Sequence, residues 1–189
     1  MAGHDTAMGI ESTPFETLAA DLDRAVEELI AAIGADPAAW GRARQPGKWT
    51  VGHHAAHVGI TLDRTATLFE DAERSLRAGM PAPPLPGRGL FQSLLVSMFL
   101  SGYMPRGAPT AAWAVPSGLR EHDATIATIR SGARRHREVG ERISADERAR
   151  LWISNPFRPQ WHYRLPEMVR VHAVHTRHHA KQIRELVAA

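Results

Sequence analysis

The chain has 189 residues, a length that suits one domain with a substantial core and is short for two. Its composition, 43% hydrophobic and 23% charged, is typical of a folded globular protein rather than a disordered one. It has no cysteine, which excludes disulfides, thiolate metal ligands and cysteine nucleophiles, so any metal ion must be held by nitrogen or oxygen atoms. The formal net charge of +3 is too small to indicate a nucleic-acid partner.

The sequence lacks a continuous apolar stretch of the roughly 20 residues that span a bilayer. The longest apolar stretch, residues 89–104, is interrupted by serines, a glutamine and a glycine. The first residues have neither the basic start nor the apolar centre of a secretory signal, and residues 1–12 are predicted to form a flexible tail. We therefore expect a cytoplasmic protein without a membrane partner.

The first helix is predicted to begin at Thr13 and to end at Gly34. Thr13 is a suitable cap, Pro14 suits the first helical position, and Glu16 completes a capping box. Apolar residues then recur at helical spacing and predict one buried stripe. The stripe consists of Phe15, Leu18, Leu22, Val26, Leu29, Ile30 and Ile33.

Three further long helices are predicted over about 50–78, 118–143 and 166–189. Thr50 can cap the first of these, and Pro166 lies in the first turn of the last. The helix over 118–143 has a predicted buried stripe of its own. Its members are Leu119, Ile126, Ile129, Ala133 and Ile143.

The connections between these helices are long. Prolines exclude regular structure over 80–89, a short apolar helix is expected over 90–103, and 154–164 is expected to be a loop with aromatic anchors. No convincing strand pattern is present. The sequence therefore predicts an all-α fold: an up-down four-helix bundle over 13–189, forming a single domain, with an extra short helix in a long crossover.

The last helix presents several histidines on the face that must point into the bundle. That face is predicted at about 100° per residue. It comprises Met168, His172, His175, His179, Gln182, Ile183 and Leu186. His175 and His179 are four residues apart, which places two imidazoles on successive turns where both can reach one metal ion. Burying several imidazoles without a partner is costly, and this favours a metal site over chance placement.

A third ligand must come from another helix. The second helix offers His53, His54 and His57 near its start. Its apolar stripe has His54 near the middle and His57 at the edge. Helical geometry alone leaves His54 and His57 equal as candidates, with His53 behind them.

The sequence resembles the DinB/YfiT-like helical-bundle proteins. In that family a tryptophan and a capping serine or threonine open the second helix, and a ligand histidine follows eight residues after the tryptophan; here these are Trp49, Thr50 and His57. The family's last helix carries His-x-x-x-His followed by Gln-Ile, which corresponds here to His175, His179 and the pair at 182–183. The segments Asn155-Pro156-Phe157 and Trp161 are also similar to the stretch that leads into that helix.

The resemblance implies a divalent metal ion held by His57, His175 and His179. Three neutral nitrogen ligands leave coordination positions open for water or substrate, which is typical of a catalytic site. Zinc suits these ligands best, and nickel or iron would also bind. The family implies metal-dependent hydrolysis, or transfer or isomerisation with a low-molecular-weight thiol as cosubstrate.

No catalytic acid or base can be assigned from the sequence. The candidates for residues that surround the metal or line a pocket are His54, Asp63, His172 and Gln182, with Asp63 expected to orient a ligand histidine. We expect a small-molecule substrate, and exposed helix faces are compatible with a homodimer. The alternative is a bundle that binds metal or a small ligand without turnover. The basic run at 134–137 is interpreted as a solvated helix face rather than a nucleic-acid site.

Overall fold

A computed structural model of the protein describes residues 13–80, 83–105, 110–156 and 158–188. Within these ranges it contains six α-helices and one two-stranded antiparallel sheet. The helices are α1 (Phe15–Gly34), α2 (Val51–Arg77), α3 (Leu90–Leu100), α4 (His122–Glu141), α5 (Ala145–Arg150) and α6 (Leu165–Val187). The strands are β1 (Trp152–Asn155) and β2 (Arg158–Arg164). The predicted tail, residues 1–12, lies outside the described residues.

The helix starts follow largely from capping chemistry. Thr50 caps α2 as predicted, and its side chain accepts a hydrogen bond from the backbone N–H of His53, while the His53 ring completes a capping box. Helix α1 begins at Phe15 with Pro14 in the cap position, one residue later than the predicted Thr13 cap. Such a difference lies within the usual uncertainty of helix ends.

The four long helices form a closed set of contacts. Helix α1 packs against α6 and α4, and α2 packs against α4 and α6. Their facing side chains are fully buried and form the centre of the apolar core, which includes Leu22, Leu29, Ile33, Leu62, Phe69, Ile129, Leu165 and Ile183. Burial of this apolar surface is the main stabilising term for the packing. It fixes α2 beside α6, the two helices that carry the predicted ligands.

Ion pairs join the same helices at their partly exposed edges. Arg170 and Arg177 of α6 both donate to the carboxylate of Asp21 on α1, at 2.8 Å. Arg135 of α4 donates to the carboxylate of Glu70 on α2 at 2.6 Å. These charge-assisted contacts fix the rotation of the helices more than they contribute to stability, because each remains partly solvated.

Strands β1 and β2 pair with each other and are together called the hairpin, so the prediction of a loop without strands over 154–164 is wrong. Strand β1 pairs with β2 antiparallel, with Ile153 opposite Tyr163 and an irregularity between Ser154 and Asn155. The two strands are short, and β2 begins with an exposed polar segment that hides any alternation of apolar and polar residues. Their regular pairing depends on contacts with α2 and α6 that a local pattern does not reveal.

The predicted third long helix is shorter than expected at both ends. Helix α4 begins at His122, so Leu119 precedes it and is 50% exposed instead of buried. Helix α4 ends at Glu141, two residues before the predicted end, and Ser144 then caps the separate helix α5 through a capping box with Glu147. Ile129 and Ala133 are buried as predicted.

The short helix α3 confirms the prediction of an apolar helix in the crossover, although it ends at Leu100. Val96 and Leu100 are buried against the core, and α3 contacts α6. Within the described ranges, none of the helices combines the length and apolarity needed to cross a membrane.

Helices α2 and α4 approach closely at Gly132, and we expect Gly132→Ala to lower the free energy of unfolding by about 1–3 kcal/mol. A methyl group there would lie 2.6 Å from Cβ of Leu62 and 3.2 Å from the backbone nitrogen of Asp63. Urea denaturation of both proteins measures the effect.

Gly34→Ala is the matched control, because a methyl group at this helical position meets no atom within 4 Å. The control should be neutral or more stable by up to about 1 kcal/mol, since alanine favours helix over glycine. Equal stability of the two variants would contradict the inferred close contact.

Candidate metal centre

Helices α2 and α6 bring three imidazoles together at one point. His57 lies on the second turn of α2, and His175 and His179 lie on successive turns of α6. The Nε2 atom of His175 lies 3.1 Å from Nε2 of His57 and 3.1 Å from Nε2 of His179. Ligand atoms of all three residues lie within 4.8 Å of one another. The structure therefore assembles the three histidines singled out in the sequence.

The separations of these nitrogens fit a shared metal ion. Two nitrogens that each lie about 2.0–2.1 Å from one zinc ion are about 3.3 Å apart in a tetrahedral site. The observed distances of 3.1 Å are close to that value. A proton could bridge one pair of these nitrogens but not all three, whereas a cation can accept a lone pair from each. The residues therefore fit a divalent ion.

A hydrogen bond from the other ring nitrogen of His57, Nδ1, determines the tautomer of this residue. Its Nδ1 lies 2.8 Å from the carbonyl oxygen of Ala114. A carbonyl can only accept, so Nδ1 carries the proton and donates it, and Nε2 is left with a lone pair that points at His175. Ala114 belongs to a short 3₁₀ turn, Ala112–Ala114, in the crossover between α3 and α4. A ligand histidine held by a carbonyl in this way is common in metal sites.

His54 lies behind His179 and does not join the three converging nitrogens. The Nδ1 atoms of His54 and His179 are 3.0 Å apart, so one ring donates to the other. If Nδ1 of His179 donates, its Nε2 presents a lone pair to His175, as metal binding requires. Helical periodicity left His54 and His57 as equal candidates for the third ligand. The positions of the rings favour His57.

Burial keeps the ligand imidazoles neutral. His57 and His179 are buried and His175 is half-buried. Desolvation lowers the pKa of all three, and neighbouring histidines lower those of His175 and His179 further. Burial also lowers the pKa of His54 to about 4. Neutral imidazole is the form that binds a metal ion, so the cluster is ready to do so at pH 7.

Trp49 packs against the cluster from the start of α2. Its ring centroid lies 5.0 Å from that of His57, 5.4 Å from that of His54 and 6.3 Å from that of His179. The indole thereby limits the rotation of rings on both helices. This packing gives a physical role to the tryptophan that precedes the capping threonine.

The three histidines form part of the wall of a cavity of about 390 Å³. Helix α6 contributes the apolar side chains of Met168 and Val171, α3 contributes Phe99, and the hairpin contributes Trp161 and Tyr163. Burial raises the pKa of Tyr163 to about 12, so its hydroxyl stays protonated. A cavity of this size suits a small molecule.

The other predicted site residues divide into two groups. His172 and Gln182 line the cavity, as does His54. Asp63 does not, and its expected role in orienting a ligand histidine is not supported. It is six residues after His57, which turns it about 120° away around α2. Its carboxylate accepts from Arg135 at 2.5 Å on the outer surface, with 55% of the side chain exposed.

A buried polar chain beneath the cavity was not predicted. The Nδ1 of His136 donates to the carbonyl oxygen of Gly132 at 2.8 Å, and its Nε2 lies 3.1 Å from the hydroxyl of Thr65. The same hydroxyl lies 2.7 Å from Nε2 of His172. Burial lowers the pKa of His136 to about 4, so this ring is neutral and its Nε2 can only accept. The one proton of the Thr65 hydroxyl is shared between this Nε2 and the carbonyl oxygen of Thr61, which lies 2.9 Å away.

The Thr65 hydroxyl then accepts from Nε2–H of His172, which leaves the lone pair of His172 on Nδ1. That atom is buried and has no hydrogen-bond partner among the described residues. Two patterns in the sequence indicate that the members of this polar chain face the interior. His57, Thr61 and Thr65 recur every four residues on the inward face of α2, and His136 continues the stripe of Ile129 and Ala133 on α4.

We predict that His136→Gln weakens the dependence of stability on pH in the metal-free protein. The folded His136 binds its proton only below about pH 4, whereas the unfolded residue binds it near 6.5. Protonation therefore favours the unfolded chain, and stability falls as the pH drops from 6.5 to 4.

Between pH 7 and pH 5, this one residue should account for about 2 kcal/mol of the loss. Urea denaturation with a chelator present, at several pH values, measures it in both proteins. Because the variant can be less stable at every pH, the relevant quantity is the change between pH values. Identical changes in the two proteins would contradict a neutral buried His136.

Comparison of the chain with protein-family models, curated proteins and solved structures finds no match. The resemblance to the DinB/YfiT-like proteins rests on the motifs around Trp49 and His175 and stays a prediction. A metal centre is inferred from the positions of the histidines themselves.

Proposed function

We propose that the protein is a metal-dependent enzyme that acts on a small molecule in the cavity beside His57, His175 and His179. One observation carries the proposal: three imidazole nitrogens converge in the wall of a 390 Å³ cavity. A closed structural site would need a fourth protein ligand, and the sets of three protein ligands found in catalytic zinc sites leave a position for water or substrate.

The three nitrogen donors also indicate which metal ions the site would bind and which reactions such an ion would support. Three neutral nitrogens suit zinc best, and nickel or iron are the alternatives. When bound, a divalent ion lowers the pKa of a coordinated water or thiol and so supplies a nucleophile near neutral pH. We propose hydrolysis, or transfer or isomerisation with a low-molecular-weight thiol as cosubstrate, as the two reaction classes. The chain has no cysteine, so such a thiol would come from outside.

The residues of this chain would hold and shape the site. Ala114 keeps the Nε2 lone pair of His57 directed at the cluster, and His54 can do the same for His179. Trp49 excludes water from one side of the rings. The contacts among the four long helices also support an up-down four-helix bundle of the kind found in the DinB/YfiT-like proteins.

We expect His57→Ala, His175→Ala and His179→Ala each to lose most of the bound metal, because two remaining nitrogens hold a divalent ion poorly. Elemental analysis of the purified proteins after dialysis against zinc, with circular dichroism to confirm folding, measures this. Equal metal content in the wild type and all three variants would refute the site.

His178→Ala is the control on the same helix. Its ring is adjacent to that of His179, at 5.5 Å between centroids, but its nitrogens are not part of the three-histidine group. This variant should keep its metal. His54→Ala should bind zinc at saturation but about 10- to 100-fold more weakly, as expected when a residue that supports a ligand is removed.

We predict that the site, loaded with cobalt, has an exchangeable coordination position. Addition of 2-mercaptoethanol should produce a thiolate-to-cobalt absorption band in the near ultraviolet that is absent from His179→Ala. A spectrum unaffected by thiol and by pH between 6 and 9 would indicate a closed site. It would favour the alternative of a bundle that binds metal without turnover.

A further inference from the structure

Arg158, the first residue of β2, lines the cavity that contains the three histidines. Its guanidinium carbon lies 4.8 Å from the centroid of the Trp161 ring, a cation–π distance. Trp161 lies in the same strand and lines the same cavity. The tryptophan therefore limits the positions of the arginine while leaving its N–H groups free to donate.

The arginines around the hairpin differ in their partners. Arg88 and Arg164 both donate to the carboxylate of Glu167, at 2.5 and 2.9 Å, so each has a carboxylate partner. Arg158 has no carboxylate partner among the described residues, and only its backbone N–H is paired, with Oδ1 of Asn155 at 3.3 Å. Arg158 is thus an exposed cation beside the cavity that is not paired with a described carboxylate.

The other ionisable groups of the cavity wall do not supply a counter-charge. The described ones are six histidines, Tyr163 and Arg158 itself, and each is positive or neutral at pH 7. A divalent ion on three neutral imidazoles would add two further positive charges. The electrostatic potential of such a cavity favours an anion.

The shape of the wall limits the remainder of the ligand. Phe99, Met168, Val171 and Trp161 give the cavity apolar surfaces beside its polar groups. Burial of an apolar body there would be favourable. The flat fork of a guanidinium matches a carboxylate through two parallel hydrogen bonds, which a lysine cannot reproduce.

We propose that Arg158 binds the carboxylate of a small substrate with an apolar body, whose reacting group then lies toward His57, His175 and His179. This proposal rests on the proposed function for the meaning of that reacting group. The carboxylate subsite itself is a property of Arg158, Trp161 and the cavity wall, so it can be tested with or without a metal ion.

The test uses a series of carboxylates from phenylacetate to 4-phenylbutyrate and the neutral amide of each. Isothermal titration calorimetry measures their binding to the chelator-treated and the zinc-loaded protein. In the metal-free protein, at least one carboxylate should bind more tightly than its amide. Arg158→Gln should lower the affinity for that carboxylate about tenfold or more and leave the amide unchanged. The carboxylate affinity of Arg158→Lys should lie between those of the wild type and Arg158→Gln, because lysine keeps the positive charge but lacks the flat guanidinium fork.

Arg64→Gln is the matched control. Arg64 is also exposed and has no carboxylate partner among the described residues, but it lines a separate cavity. Its removal should leave carboxylate binding unchanged. An equal loss in Arg64→Gln would show a general effect of net charge and overturn the proposal.

Two further results would overturn it: no preference for any carboxylate over its amide in the wild type, or equal carboxylate affinity in wild type and Arg158→Gln. Metal content is measured separately on each sample. A wild type that binds no zinc but still selects carboxylates through Arg158 would refute the proposed function and keep the subsite. A protein that binds zinc but does not select carboxylates through Arg158 would refute the subsite and keep the proposed metal site.

Discussion

The packing of α2 against α6 is the constraint on which the site depends. Neutral imidazoles from the two helices approach to 3.1 Å only because the apolar stripes beneath them fix the separation and rotation of the helices. Gly132 contributes from a third helix, since its missing side chain lets α4 lie close to the α2 backbone. The core thus supplies the precision that a set of metal-binding side chains needs.

The polar groups around the ligands have separate tasks. Ala114 and His54 hold the rings of His57 and His179 through their Nδ1 atoms, whereas His172, Thr65 and His136 form a buried chain that reaches the cavity wall. Arg158, Trp161 and Tyr163 of the hairpin line the same cavity. Under the two proposals above, the three histidines and Arg158 would bind different ends of one ligand and so fix its direction in the cavity.

Local patterns in the sequence predicted the helices and two of the ligands, because capping residues and apolar spacing are properties of a single segment. They could not decide between His54 and His57, since both lie near the inward face of α2 and the choice depends on where α6 approaches. Asp63 differs from its expected role because its position about 120° around α2 from His57 places it beside Arg135 on the outer surface. Local patterns could not predict the hairpin or the hydrogen bond between His57 and the Ala114 carbonyl, because both depend on contacts between segments distant in the chain.

The turn at Ala112–Ala114 has a consequence for how such a site can diverge. Its Ala114 carbonyl accepts from Nδ1 of His57, the turn lies outside the four long helices, and Trp113 fastens it to the hairpin through the carbonyl of Pro156. Substitutions in this crossover can therefore alter the electron density on His57 without touching a ligand. Under the proposed function, such substitutions would change the Lewis acidity of a metal ion held by the same three histidines, and the crossover would be the adjustable part of the site.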